Sequence, residues 1–472
     1  MNTSREFPVN PYLLTGAMCA IALALRWIIA RDAFWLDEIW SYFLSGLMTS
    51  SWDAFSTIRI DNNHLLNTLS IYWLGEQTNW TIYRLPSLAF GVLLVALMGP
   101  AAKLIGAKPW VAMTLATVSI PLIQYSAEAR GYSSAVLFAL ASWYIFYSRI
   151  LTSEQRILPL IAFWSACTLG ALSHLTFVFV FAALGITWLT NCFVNRQLDQ
   201  QVLLRGMLAF SIPTIFFVWL YFYFYSQTNA GGAEESLFLF DNFVELGRMI
   251  SGAPRMTLLA VSGSAVVMAL GGYGLLLIDK AQQRFFLLAI VLVPGLLLGL
   301  YQPDFFYPRY LLVTIPFIYL LIARAISEGL NSTATVKYFA IAALIATIFG
   351  SMIQYTELAK WGKGDYPKAV NDLYKNAANE NFTVGSDFDF RNKALLDFYT
   401  RHRNNSERMT YIERSYEQDQ PTDFFITHNQ KYNFKPDLLL SLENGDYRLV
   451  GEYPYAGLSG WNWYLYQHES SN

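Results

Sequence analysis

Long apolar runs joined by short polar connections fill the first three quarters of the chain. The first run, Pro11 to Ala30, is about 20 residues long, enough to cross about 30 Å of hydrocarbon as a helix. Further runs of spanning length lie near 82–105, 109–126, 132–151, 157–173, 175–194, 206–225, 257–278, 285–301, 308–326 and 335–355. Hydropathy therefore predicts about eleven membrane spans. The interruption near His174 fits either a tight turn between two short helices or one long helix. The first run has a weakly charged flank, Arg5 followed by Glu6, and many spans follow it. It reads as a retained span, not a signal peptide.

A shorter pattern follows the first span. Ile39, Trp40, Phe43, Leu44, Leu47 and Met48 recur at helical spacing. They predict an amphipathic helix over 38–49, lying at the membrane surface. On its wheel Glu38 falls with Ser41, Ser45 and Thr49 on the polar face, and Asp37 borders the apolar face. Adjacent helical residues diverge by about 100°, so the two acids are expected to do different jobs. Asp37 is expected to face the protein body, and Glu38 water or a partner side chain. An acid at a helix start also serves as an N-cap, and that reading of Asp37 stands beside a functional one.

The pattern changes again from Trp361 to Asn472. DYPKAVNDLYKNAAN reads as an amphipathic helix. FTVGSDF, RMTYIE, DFFITHN, YRLVGEYP and NWYLYQHE read as short strands between turn residues. Two domains are expected: a membrane domain over 1–355, with a large outer loop at 31–81, and a small α/β domain over 356–472.

Composition agrees with this division. The chain is 54% hydrophobic and only 14% charged, against about 25% charged residues in ordinary soluble domains. The net charge of −2 lacks the basic surplus of a nucleic-acid binder. Cys19, Cys167 and Cys192 all lie in apolar runs, without disulfide or metal-ligand spacing. The basic pairs Lys103/Lys108, Arg149/Arg156, Arg196/Arg205, Lys280/Arg284 and Arg324/Lys337 fall on alternate connections. The positive-inside rule then places the amino terminus in the cytoplasm, and loops 31–81, 127–131, 226–256 and 302–307 and the tail outside. Arg31, Arg59, Arg248 and Arg255 run against that bias.

Polar residues gather at the expected outer ends of several spans. RIDNNHLLNTLSIYWLG (59–75) carries Asn63 and His64, and NWTIYRLPSLAFG (79–91) carries Arg84. SAEARGYSS (126–134) carries Glu128 and Arg130. YQPDFFYPRYLLVTIPF (301–317) carries Asp304, Arg309 and Tyr310. Ionisable residues at such positions are functional candidates. Each also has a structural reading. His64 fits a hydrogen-bonding role, and Arg84 and Arg309 fit interfacial snorkelling. Glu128 and Arg130 fit a mutual ion pair, and Asp304 fits loop solvation. The NWT sequon at Asn79 carries no functional weight.

Taken in order, the Asp37-Glu38 pair, the NNHLLNTL loop, YRLPSLAFG, SAEARGYS and YPRYLLVTIPF resemble the GT-C superfamily of membrane glycosyltransferases. They resemble most the group containing protein O-mannosyltransferases and the lipid A aminoarabinose transferase. The similarity covers the first third of the chain best, and the RY-x₅-P segment more weakly. Family members often carry His-Pro-Pro where this chain has His64-Leu65-Leu66.

The resemblance implies a multi-pass inner-membrane enzyme that moves a sugar from a polyprenyl-phosphate donor to a lipid, glycan or protein acceptor outside. It implies Asp37 as general base, supported by Glu38. Arg84, Arg130 and Arg309 are implied as phosphate binders, and Asn63, His64, Glu128 and Tyr310 as substrate contacts. No metal site is assigned, although some relatives use a divalent cation such as Mg²⁺ or Mn²⁺, which Asp37, Glu38 and Glu128 suit chemically. Two other classes remain. A transporter or flippase of lipid-linked sugar would show internal symmetry and helices broken near the midplane. A scaffold for envelope-polymer assembly would not need the outer acids.

Overall fold

The computed structural model describes residues 10–151, 157–194, 200–228, 239–301, 307–377, 381–401, 403–413, 421–430 and 434–469. Asp304 lies outside the described residues. The chain forms two units, one of Met1–Ala30 with Leu44–Gln354 and one of Arg31–Phe43 with Tyr355–Asn472.

The helices follow the apolar pattern. They run α1 (Pro11–Ile29), α2 (Leu36–Gly46), α3 (Asp53–Ser56), α4 (Leu65–Leu74), α5 (Thr81–Leu104), α6 (Pro109–Val118), α7 (Ile120–Ser126) and α8 (Tyr132–Ile145). They continue with α9 (Ile157–Ser173), α10 (Val178–Val194), α11 (Gln200–Tyr223), α12 (Leu239–Ser251), α13 (Thr257–Leu276), α14 (Lys280–Leu287) and α15 (Val293–Tyr301). The last long pair is α16 (Ile315–Leu330) and α17 (Ala334–Trp361). Among the described residues, eight helical segments are long and apolar enough to cross a membrane, and the chain is a multi-pass membrane protein.

All of the expected runs are helical. Three fall short as single spans. The run 109–126 breaks at Ser119, 132–151 ends in a π turn over Phe146–Ile150, and α9 is 17 residues long. His174 does mark a break: it precedes a 3₁₀ turn, Leu175–Phe177, that leads into α10.

The break at Ser119 shows how the first unit keeps its backbone satisfied. Pro121 has no N–H, so the carbonyl of Thr117, four residues earlier, loses its helical partner. Ser119 turns the chain and caps α7 by accepting from the Leu122 N–H at 3.4 Å. An unpaired carbonyl in hydrocarbon costs several kcal/mol. Arg26 of α1, fully buried, fills the gap. It donates to the carbonyls of Thr117 at 3.4 Å and Ala116 at 3.1 Å, and to Ala22 of its own helix at 3.2 Å. Around this joint α5 packs against α1, α6 and α8. The loop after α2 is anchored separately: Leu44, Met48, Ile58 and Leu65 form one core with Ala171 of α9 and Leu220 of α11.

The second unit is a six-stranded sheet with helices α18 (Tyr366–Asn376) and α19 (Asp389–Thr400). Its strands are β1 (Phe382–Ser386), β2 (Met409–Tyr411), β3 (Phe424–Asn429), β4 (Leu439–Leu442), β5 (Gly445–Tyr453) and β6 (Asn462–His468). The order is β2-β1-β3-β6-β5-β4. β1 is parallel to both neighbours, and the remaining pairs are antiparallel. Asp365 starts α18 by accepting from the Lys368 N–H at 3.3 Å. Ala369 and Leu373 of α18 pack on Ile426, Trp463 and Leu465, and Tyr453 Oη donates to Asp372 at 2.8 Å. The other face holds Phe425, Tyr447, Tyr464 and Tyr466.

The Arg26 arrangement gives a test. Arg26→Met keeps the bulk and removes the donors, leaving two buried carbonyls without this partner. A loss of about 1–3 kcal/mol per unsatisfied group is expected. It should appear as a clear fall in the thermal unfolding midpoint of the detergent-solubilised protein. A midpoint equal to wild type would refute the role given to Arg26.

Candidate functional site

The acidic pair belongs to the second unit. α2 begins two residues before the predicted start, because Trp35 is its N-cap: the Trp35 carbonyl accepts from the N–H groups of Glu38 and Ile39, both at 3.0 Å. Asp37 is then the second helical residue and Glu38 the third. Glu38 Oε2 accepts from the Trp35 N–H at 3.4 Å, the returning half of a capping box. The capping role therefore falls to Glu38 and not to Asp37.

Glu38 is also fully buried, with Oε2 3.6 Å from Nζ of Lys363, itself fully buried. Of the two environments expected for Glu38, water and a partner side chain, the partner is the one found. Asp37 is half-buried, and its carbonyl accepts from Ser41 Oγ at 2.9 Å. The helical wheel missed the burial of Glu38 because the group covering it comes from the far end of the chain.

The cationic candidates lie in the first unit, around the turn 127–131. That turn is held from several sides. Asn67 Nδ2 donates to Ala129 O at 2.8 Å, and Ser87 Oγ donates to Arg130 O at 3.2 Å. Gly131 passes so close to its neighbours that a Cβ would lie 1.9 Å from the carbonyl of Ser173 and 2.9 Å from His64 Cβ. Only glycine fits there.

This close approach fixes the state of His64. The Gly131 N–H donates to His64 Nδ1 at 2.9 Å. A neutral imidazole accepting at Nδ1 carries its proton on Nε2. Arg130 Nη2 lies 3.5 Å from that Nε2. Two donors do not bond each other, so the pair forms a fork for a shared acceptor, and an anionic oxygen suits it.

His174 repeats the arrangement, since its Nδ1 accepts from the Thr176 N–H at 3.2 Å. The two histidine rings lie 4.6 Å apart, and Tyr132 is 5.2 Å from His64 and 4.5 Å from His174. Arg130 Nη1 also donates to Asn62 Oδ1, and its guanidinium lies 5.7 Å from the centre of the Tyr132 ring. Burial holds His64 well below its ordinary pKa, and Arg130, His174 and Arg309 add to the effect. Burial likewise lowers His174 to about 3, again with Arg130 and Arg309 acting in the same direction. Both rings are neutral at ordinary pH.

Arg309 sits on a 3₁₀ turn, Pro308–Thr314, that packs against α8 and Leu175–Phe177, and its guanidinium lies 4.5 Å over Tyr307. Tyr310, half-buried, is on the same turn. Arg84 is fully buried and donates to Ala30 O at 2.9 Å, at the carboxyl end of α1. Glu128 is fully buried and accepts from Gln124 Nε2 at 3.4 Å. Asn63 spends its amide donors on its own loop, at Ala54 O (2.8 Å) and Ile58 O (2.9 Å).

No protein-family model and no curated protein matches the sequence. Solved structures do. ArnT from Cupriavidus metallidurans, in the apo state, aligns over 87% of this chain and 92% of its own, at TM-score 0.53 and 12% identity. The fold is that of the GT-C glycosyltransferases. An oligosaccharyltransferase from Archaeoglobus fulgidus aligns over 88% of this chain and 67% of its own, at TM-score 0.51 and 11% identity. The arabinofuranosyltransferase AftD from Mycobacteria aligns over 98% of this chain, at TM-score 0.51 and 13% identity. This chain spans 40% of the length of AftD.

Within the GT-C fold the sequence brought Arg130, His64 and Arg309 to one cluster. It missed His174, Tyr132 and Asn62 there, and Lys363 beside Glu38. His174 had a signal, a polar residue interrupting an apolar run. Lys363 had a fainter one, a lone lysine between two glycines just after the last span. Among the described residues no group of three His, Cys, Asp or Glu side chains is placed to hold a metal ion.

The neutral histidines set a pH dependence. An unfolded imidazole has a pKa of about 6.5. Below that value the unfolded chain takes up protons that the folded chain refuses, so stability falls as pH falls. The unfolding midpoint in detergent should drop between about pH 7 and pH 5. His64→Gln and His174→Gln should each flatten that slope, and an unchanged slope in both variants would contradict neutral burial.

Proposed function

We propose that this protein is a glycosyltransferase that moves a sugar from a polyprenyl-phosphate donor to an acceptor hydroxyl on the outer face of the inner membrane. The observation that carries the reading is the fork of His64 Nε2–H and Arg130 Nη2, with Arg309 acting on the same histidines. It offers N–H donors and positive charge to a phosphate. Support also comes from the shared fold with proteins named as an oligosaccharyltransferase and an arabinofuranosyltransferase.

In this mechanism the Asp37 carboxylate accepts the proton of the acceptor hydroxyl while that oxygen attacks the anomeric carbon. The bond from the anomeric carbon to the phosphate oxygen breaks. The polyprenyl phosphate departs with the electron pair, and the anomeric configuration inverts. Arg130 and Arg309 bind the departing phosphate through planar, charged donors. Arg84, tied to Ala30, holds the end of the first span beside them in role. Glu128 and Tyr310 contact the sugar or the acceptor. No step requires a metal.

Asp37→Asn should lower transfer of labelled sugar by about 10²- to 10⁴-fold, the usual worth of a general base, in a protein that still folds and inserts. Wild-type turnover by this variant would remove the base assignment. Arg130→Lys and Arg309→Ala should weaken donor binding by about ten- to 100-fold, the loss of one charged hydrogen bond or two, and acceptor binding much less. Movement of the lipid-linked sugar across vesicles, without a new glycosidic bond, would select the transporter reading instead.

The proposed orientation has its own test. In a variant lacking the native cysteines, Asn404→Cys should react with a membrane-impermeant maleimide on intact cells. Reaction only after lysis would reverse the topology.

A further inference from the structure

We propose that Lys363 is a positioning residue for the acid-bearing start of α2, and that the tail domain serves as the clamp that holds this start. The inference rests on the reading of Asp37 as the base, and it gives the carboxyl-terminal domain a task in the reaction.

The second unit is built around the segment 31–43. The loop Trp361–Gly364 ends the last long helix and is pinned on both sides. The Lys363 N–H donates to Asp32 Oδ2 at 2.9 Å, and Tyr366 Oη donates to the Lys363 carbonyl at 2.8 Å. Gly362 has a φ of 56°, and its carbonyl accepts from the Ala456 N–H at 2.8 Å. A Cβ at Gly362 would lie 2.2 Å from Asp32 Oδ2, so the loop and the segment approach as only glycine allows. This pinned loop delivers Nζ of Lys363 to Glu38.

Aromatic contacts hold the segment along its length. Phe34 stacks on Phe398 with ring centres 5.9 Å apart, Trp35 meets Trp461 at 5.9 Å, and Trp40 stacks on Phe390 at 5.2 Å. Tyr399 Oη donates to the Phe34 carbonyl at 2.5 Å. Phe390 and Phe398 lie on α19, which follows β1, and Trp461 directly precedes β6. β1 lies between β2 and β3, both parallel to it, so the carboxyl ends of β1 and β3 form the kind of edge where α/β sheets bind ligands. Trp461, which packs on Trp35, also lies 6.3 Å from His428 at the carboxyl end of β3. The tail presents this side of its sheet to its own acid-bearing segment.

The ion pair explains why Glu38 is buried while its neighbour is not. Glu38 joins Lys363 and the Trp35 N–H, which fixes the third residue of the helix. With that residue fixed, the direction of the second, Asp37, is set to within the freedom of its own side chain. A shift of about 1 Å in a catalytic group costs about 100-fold in rate, so a loosened helix start should be felt in kcat.

The experiment compares Lys363→Met, Lys363→Arg and Glu38→Gln in the full-length protein. Transfer kinetics and hydrogen–deuterium exchange are read together. Lys363→Met and Glu38→Gln should lower kcat about ten- to 100-fold with the donor KM nearly unchanged. Exchange should rise in 31–43 and stay at wild-type level in β1, β3 and β6. Lys363→Arg should recover most of the rate. Unchanged kcat in Lys363→Met overturns the proposal, as does exchange that rises across the whole sheet, which marks a merely structural lysine. If wild-type protein transfers no sugar from any polyprenyl-phosphate donor, the functional reading fails. The clamp is then judged by exchange alone, and unchanged protection of 31–43 in Lys363→Met rejects it.

Discussion

Taking an ionised or hydrogen-bonding group out of water costs several kcal/mol unless a partner meets it. In this protein the partners come from far along the chain. Arg26 of the first span meets carbonyls at the break between α6 and α7. Glu38 meets a lysine that follows the last long helix. His64 meets the backbone of a turn between two later helices. Each joint draws remote segments together, and each fails if one member is removed. The polar residues that look misplaced in an apolar sequence are thus the ones that fix its folded arrangement.

The sequence foretold what depends on periodicity and missed what depends on reach. Apolar runs located the helices, and alternation located five of the six tail strands. β4 escaped because Leu439–Leu442 is a short, largely exposed edge strand without a clear alternation of its own. α19 escaped because its apolar residues, Phe390, Ala394, Leu395, Leu396, Phe398 and Tyr399, spread around the helix and form no single stripe. The break at Ser119 was written in Pro121, yet its consequence needed Arg26, and no local pattern links them. In the site, Arg130, His64 and Arg309 declared themselves as charges at span ends. His174 and Lys363 did not, since one reads as a turn residue and the other as an ordinary loop lysine. The helical wheel turned Asp37 toward the protein body and put Glu38 on the polar face, whereas Glu38 is the fully buried acid and Asp37 the half-buried one. What the wheel lacked was the tail lysine that buries Glu38.

The neighbours by fold differ widely in length, yet the likeness to ArnT extends over most of both chains. At 12% identity the likeness is one of fold. The shared feature is the arrangement of helices. Within it this chain places Arg130 and Arg309 on turns and Asp37 and Glu38 at a helix start, both built from backbone contacts that only particular residues permit. Gly131 is the clearest case. Its missing side chain lets one N–H choose the tautomer of His64.

That choice has a consequence for charge. With both imidazoles held neutral, the positive potential of the cluster comes from its guanidinium groups. Its attraction for an anion therefore does not depend on protonating either imidazole. A histidine-rich cluster would ordinarily act as a proton sensor. Here burial keeps both rings uncharged, two backbone amides fix which nitrogen accepts, and arginine side chains carry the charge.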